Sequence, residues 1–101
     1  MAVIRFTPRA REDLLDIWAY IAEHTGLSSA DRIFDQIEKT CRLLQEHPRM
    51  GRVRTDIADN ARSIIVERWI VLYRLDKDEV QIVRVVDGVR DLARIEFHSD
   101  Q

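Results

Sequence analysis

Six arginines and one tyrosine carry most of the chemical potential in this sequence: Arg52, Arg54, Arg62, Tyr73, Arg74, Arg84 and Arg90. Arg62, Tyr73, Arg74, Arg84 and Arg90 fall within or just after runs that read as β-strands, and Arg52 and Arg54 in the segment before them. A guanidinium is a permanent cation with a planar fork of donors, matched to phosphate and carboxylate oxygens. Arg62, Arg74, Arg84, Arg90 and Tyr73 are expected on the part of the sheet that helices leave open. Such a set could hold RNA phosphate and cleave RNA by general acid–base chemistry and charge stabilisation. It could equally hold the carboxylates of a partner peptide laid across the sheet. Arg84, followed by Asp87, Arg90 and Asp91, also fits a local ion-pair network.

Other chemistries find little support. The histidines are His24, His47 and His98, and no pair of them, nor any with the lone Cys41, has ligand spacing on one helix face, so no metal site is expected. Cys41 lies in an apolar helical stripe and reads as a small buried hydrophobe. No serine sits in a nucleophile-elbow turn, and the three glycines are too scattered for a phosphate cradle. No cofactor is expected. Trp18 lies on a core stripe. Trp69 opens a strand, with core packing favoured over an exposed anchor.

The charge pattern narrows the partners. The chain of 101 residues has a net charge of −2. Residues 49–75, however, hold six arginines against Asp56, Asp59 and Glu67, a local excess of positive charge. A slightly acidic whole argues against non-specific polyanion binding as the main task, and no direct sequence-specific DNA binding is expected. The arginine-rich segment still suits a specific acidic partner. One cysteine fits a reducing compartment, no apolar run approaches a membrane span, and no secretory signal is evident. The expectation is a single domain over residues 1–101, located in the cytoplasm.

The elements that must position these residues follow from periodicity. Ala2 to Phe6 alternates and reads as a first strand. Thr7 is the cap and Pro8 the first residue of an amphipathic helix with the stripe Ala10, Leu14, Ile17, Trp18 and Ile21. Glu12, Asp13 and Asp16 sit early in it, where the helix dipole favours acids. Gly26 stops it. Ser28 or Ser29 is expected to cap a second helix with the stripe Ala30, Ile33, Phe34, Ile37, Cys41 and Leu44, ended by His47 before Pro48. Arg49 to Asn60 reads as a loop. Ser63–Val66, Trp69–Leu75 and Val80–Val86 then form a three-stranded meander around short charged turns. Gly88 marks a further turn, and Val89 to Phe97 a short tail. The fold class is α+β: an N-terminal strand, an antiparallel helical hairpin on one sheet face and an antiparallel meander.

This order, with its local motifs, resembles the RelE/ParE superfamily of bacterial toxins. VIRFTPRAREDLLDIWAYIAEHTG is similar to the opening strand and the Pro-x-Ala and Asp-Leu helix of that superfamily. LLQEHPRMGRVR resembles its second-helix terminus, ARSIIVERWIVLYRL its strand ending in aliphatic-Tyr-Arg, and VQIVRVVDGVRDL its closing segment. The resemblance covers residues 3–92 and is closest to the ParE branch. It implies a toxin of a type II toxin–antitoxin pair that inhibits DNA gyrase by binding and is held inactive by a ParD-like antitoxin. No catalytic residue is then required, and the arginines and Tyr73 named above become candidate positions for antitoxin or target. The alternative is the RelE branch, a ribosome-dependent mRNA endonuclease, with Arg62, Tyr73 and Arg84 at its centre. A third reading is a non-toxic relative that only binds its antitoxin. Asp87 stands where many ParE-like sequences have histidine, no tyrosine follows Tyr73, and only Lys39 and Lys77 are lysines. These departures count against the nuclease.

Overall fold

The first helix starts where the sequence says it should. Thr7 is extended, and its Oγ1 accepts the Ala10 amide at 3.1 Å, while Pro8 takes the first helical position, where a missing N–H costs nothing. These details come from a computed structural model that describes residues 2–88. A strand, β1 (Val3–Phe6), leads into α1 (Pro8–Thr25) and α2 (Leu27–Glu46). Gly26 alone joins the helices, with φ of 105°, a conformation that favours glycine. Its N–H is shared between the Ile21 and Ala22 carbonyls. The expected serine cap does not form, because the residue that ends α1 also begins α2. Ser29 bonds instead to the Thr25 carbonyl. His47 closes α2 ahead of Pro48, as expected.

The sheet is larger than the sequence suggests. The segment read as a loop contains β2 (Arg52–Val53), and the meander is β3 (Ala61–Val66), β4 (Trp69–Asp76) and β5 (Glu79–Asp87). The spatial order is β1-β5-β4-β3-β2. Neighbours within the meander and the β2–β3 pair are antiparallel, but β1 runs parallel to β5, with Val3 opposite Glu79 and Phe6 opposite Ile82. The sheet is therefore mixed, not purely antiparallel. The two helices provide the crossover that a parallel neighbour needs.

Helix stripe and sheet face meet in one core. Ile17, Ile21, Ile33, Ile37 and Leu44 pack with Trp69, Val71, Tyr73, Val80, Ile82 and Val85. Trp69 is a core residue, as favoured, and Trp18 packs against the core edge while its Nε1 donates to Asp31. Ile70, Leu72 and Val86 form a second cluster joined by Ile57.

β1 ends at Phe6, so the outer edge of β5 is unpaired by a strand beyond Ile82. Side chains from the start of α1 take over. Thr7 Oγ1 donates to the Val83 carbonyl at 3.0 Å, and an Asp13 oxygen accepts the Val85 amide at 3.0 Å. Thr7→Ala therefore removes a helix cap and orphans a buried carbonyl. The expected cost is about 1–3 kcal/mol, read from the midpoint of urea unfolding. Thr7→Ser, which keeps the hydroxyl, should recover most of it.

Candidate functional site

Two of the expected site residues hold a turn in place. Arg62 and Tyr73 stand opposite each other on β3 and β4, on the face covered by the helices. The Tyr73 hydroxyl donates to the Pro48 carbonyl at 2.8 Å and accepts the Gly51 amide at 2.9 Å. One Arg62 nitrogen donates to the carbonyls of Arg49 and Gly51 at 3.0 and 2.9 Å. Together they fasten the segment that leaves α2 onto the sheet. A Cβ on Gly51 would lie 2.4 Å from the Tyr73 hydroxyl oxygen, so the close approach requires glycine. Burial raises the Tyr73 phenol above its ordinary value, with the Gly51 amide and Arg62 acting in the opposite sense. Tyr73 thus stays protonated near neutral pH and is unsuited to act as a base.

Arg84 lies elsewhere and does not face solvent. The β4–β5 register slips between Leu72 and Tyr73, leaving Val83 without a partner on β4. Such a bulge re-aims the side chains around it. The Arg84 guanidinium meets the Asp13 carboxylate in a two-pronged ion pair at 2.7 and 3.1 Å, with both side chains at least nine-tenths buried. Of the local ion-pair network considered for Arg84, Asp87, Arg90 and Asp91, Arg84 turns to Asp13 and Asp87 meets Arg68 at the β3–β4 turn, while Arg90 and Asp91 lie outside the described residues.

The remaining candidates are dispersed. Arg74 Nε donates to Gln81, which in turn donates to Glu79. Arg54 makes a two-pronged bond to Asp56, which raises the arginine and lowers the carboxyl from their ordinary values. Arg52 is exposed on β2 and has no carboxylate within 4 Å among the described residues. Arg90 and Asp91 lie outside the described residues, as does the tail from Val89 to Phe97. The open arginine–tyrosine face expected from the sequence is therefore not formed. One Arg62 nitrogen, the Tyr73 hydroxyl and the Arg84 guanidinium bond to carbonyls and a buried carboxylate, and the three side chains do not converge on one exposed point.

Residues that the sequence did not mark as a site do more. Asp13, expected with Glu12 and Asp16 to meet the helix dipole, lies beyond the first turn of α1, which holds no acid, and instead organises α1 against β5. Gly51 allows the Tyr73 clamp. Arg68 lies over the Trp69 ring at 4.9 Å and the Tyr20 ring at 5.9 Å. One signal for Asp13 was available. It lies three residues after Ala10 and four before Ile17, on the apolar stripe itself, where an unpaired acid would be costly.

Cys41 is buried, and its thiol is pushed up to about 11, first by burial and then by nearby Glu38. At pH 8 only about one thiol in a thousand is then ionised, so labelling by a thiol reagent should be slow in the native protein and fast in denaturant. Rapid native labelling at the exposed-cysteine rate would contradict this placement.

Comparison with known proteins decides the family. Residues 4–92 match the family described as the ParE toxin of the type II toxin–antitoxin system parDE. The chain belongs to the ParE toxin family. This ParE-family chain is 36% identical over 91 residues to Toxin ParE3 of Caulobacter vibrioides, covering 90% of each protein. It is 30% identical over 86 residues to Toxin ParE1 of the same organism, covering 85% of this chain and 88% of that protein. A solved chain described as belonging to a chromosomal ParDE system from P. aeruginosa shares the fold. Its TM-score is 0.75 at 22% identity, covering 86% of this chain and 96% of that one. Among the described residues, no helix of the ParE-family chain is long and apolar enough to cross a membrane.

Proposed function

We propose that this ParE-family toxin inhibits DNA gyrase by binding it, acts in the cytoplasm, and is neutralised by a ParD-like antitoxin. Membership of the ParE family supports a partner of the ParD kind. The observation that favours binding over RNA cleavage is the internal use of Arg62, Tyr73 and Arg84. A ribonuclease needs an acid–base pair and cations that touch the phosphate at the reacting bond. Here those groups hold the fold. The slightly acidic whole also suits a specific protein target better than the dense phosphate of a ribosome.

The test is to incubate the purified toxin with gyrase, ATP and relaxed plasmid, and to follow supercoiling and protein-linked DNA breaks. Inhibition that is reversed by added antitoxin is expected. No effect at a large molar excess over gyrase would sink the gyrase target. Cleavage of mRNA on translating ribosomes would then install the nuclease reading in its place. Absence of growth arrest on expression, with antitoxin binding retained, would mark a non-toxic relative.

A further inference from the structure

We infer that the cleft between the turn after α2 and the β2–β3–β4 end of the sheet receives an acidic, partly apolar segment of the antitoxin. This inference rests on the toxin–antitoxin reading above. The cleft is about 380 Å³ and is lined by Arg49, Arg62, Lys77, Val53, Leu75 and Asp59 among others. Three cations face one acid.

Their charge is not spent. Arg5, Arg9, Arg32, Arg42, Arg54, Arg68 and Arg84 each have a carboxylate within 4 Å. Among the described residues, Arg49, Arg62 and Lys77 have none. Within residues 49–75, Arg54 and Arg68 are paired with Asp56 and Asp87, whereas Arg49, Arg52, Arg62 and Arg74 have no carboxylate within 4 Å among the described residues, and Arg49 and Arg62 line this cleft. Arg62 is also preorganised. Two backbone carbonyls fix one nitrogen of its fork, and its other nitrogens have no partner among the described residues. A guanidinium held this way loses little freedom when it takes a carboxylate.

The lining favours a peptide over a nucleic acid. Val53 is 52% exposed, and Leu75 is partly buried beside it, so apolar side chains have a place to rest next to the cations. No aromatic ring lines the cleft, so stacking, the main sequence-tolerant contact to single-stranded bases, is unavailable. A second cleft shares Arg49, Leu75 and Lys77 and runs past Pro48 to Ala2, at about 730 Å³. Glu46 and Asp78 line that part opposite the shared Arg49 and Lys77, so the end that selects acid is the one where Arg62 joins them. Two adjoining clefts suit an extended or amphipathic segment that orders as it docks.

The test uses the purified toxin and its ParD-like antitoxin. Affinity is measured calorimetrically at low (about 50 mM) and high (about 500 mM) salt. The Arg49→Glu/Lys77→Glu double variant is the probe, because both side chains are exposed and neither joins the Tyr73 clamp. Its melting temperature should match the wild type, which separates lost binding from lost folding. The expected result is antitoxin binding roughly tenfold or more weaker at low salt, a difference that shrinks at high salt. Equal affinity of variant and wild type would overturn the cleft and leave the toxin–antitoxin reading standing. No binding of antitoxin to the wild type would overturn both. Single-stranded RNA binding that the double variant loses, while antitoxin binding is unchanged, would reassign the cleft to nucleic acid and overturn the inference.

Discussion

Replacing Asp13 with alanine should destabilise this protein by about 3–5 kcal/mol, a large part of the stability of a small domain. The substitution leaves the Arg84 guanidinium, 5% exposed, without its counter-charge, and it also uncaps the Val85 amide. Arg84→Ala should cost less, because the Asp13 carboxylate keeps the Val85 amide and has Arg9 at 3.9 Å. The asymmetry of a buried pair gives a sharper test. Desolvation of two charges offsets most of their attraction, so replacing both by well-packed apolar residues is often tolerated. Asp13→Leu/Arg84→Leu is therefore expected to be more stable than either single alanine variant, although still short of the wild type because the Val85 N–H remains unpaired. Asp13→Asn should fall between, since it keeps an acceptor for that amide. The check is the urea midpoint at unchanged slope. A loss below about 1 kcal/mol for Asp13→Ala would show that the pair is solvated and that α1 is positioned by apolar packing alone.

The second large effect is expected at the Tyr73 clamp. Gly51→Ala puts a methyl group 2.4 Å from the phenol oxygen, 2.6 Å from a ring carbon and 2.9 Å from the Ser63 carbonyl. None of these is the loose end of a flexible side chain. Tyr73 is fully buried and Ser63 belongs to β3, so the backbone of the turn must move. Overpacking of this kind costs about 1–3 kcal/mol, with the higher end expected here because two hydrogen bonds are lost with it. Tyr73→Phe keeps the ring and removes only the hydroxyl, which leaves the Gly51 amide and Pro48 carbonyl unsatisfied. Its cost should be about 1–3 kcal/mol. The two substitutions share a contact, so their effects should be less than additive when combined. Amide exchange at Gly51 should accelerate in Tyr73→Phe while β5 amides remain protected. Uniform acceleration throughout the sheet would instead mean that the turn has no local role.

Much of the fold was legible in the sequence. Thr7-Pro8 and Gly26 marked one helix, His47-Pro48 ended the other, and charged pairs split the strands. What stayed hidden was non-local. Nothing in Val3–Phe6 says that its partner is Glu79–Ile82, because strand pairing depends on the crossover and not on the strand's own pattern. β2 has only two residues, too few for a period. The site was misread for a related reason. Trp69 to Tyr73 is apolar on both faces, so alternation could not say which side Tyr73 takes. β5 is almost wholly Val and Ile around Arg84, and the bulge at Val83 shifts its parity without a glycine to announce it. The arginines were read as ligands for something outside the chain. Arg84 instead bonds inside it, Arg62 bonds inside it through one nitrogen while lining the cationic cleft, and that cleft includes Arg49 and Lys77, which adjoin tight turns and belong to no periodic element.

The position of β5 between β1 and β4 has a consequence for biosynthesis. Val3 must find a partner 76 positions downstream, and β5 is the strand that joins the N-terminal unit to the meander. At about 5–20 residues per second, roughly 4–15 s separate the synthesis of the two. During that interval β1 has no neighbour and β4 lacks one of its two. A nascent chain stopped short of Glu79 cannot assemble the sheet. The topology thus acts as a timer, withholding the folded toxin until nearly all of the described chain has been made, and fragments from interrupted translation should be harmless and readily degraded.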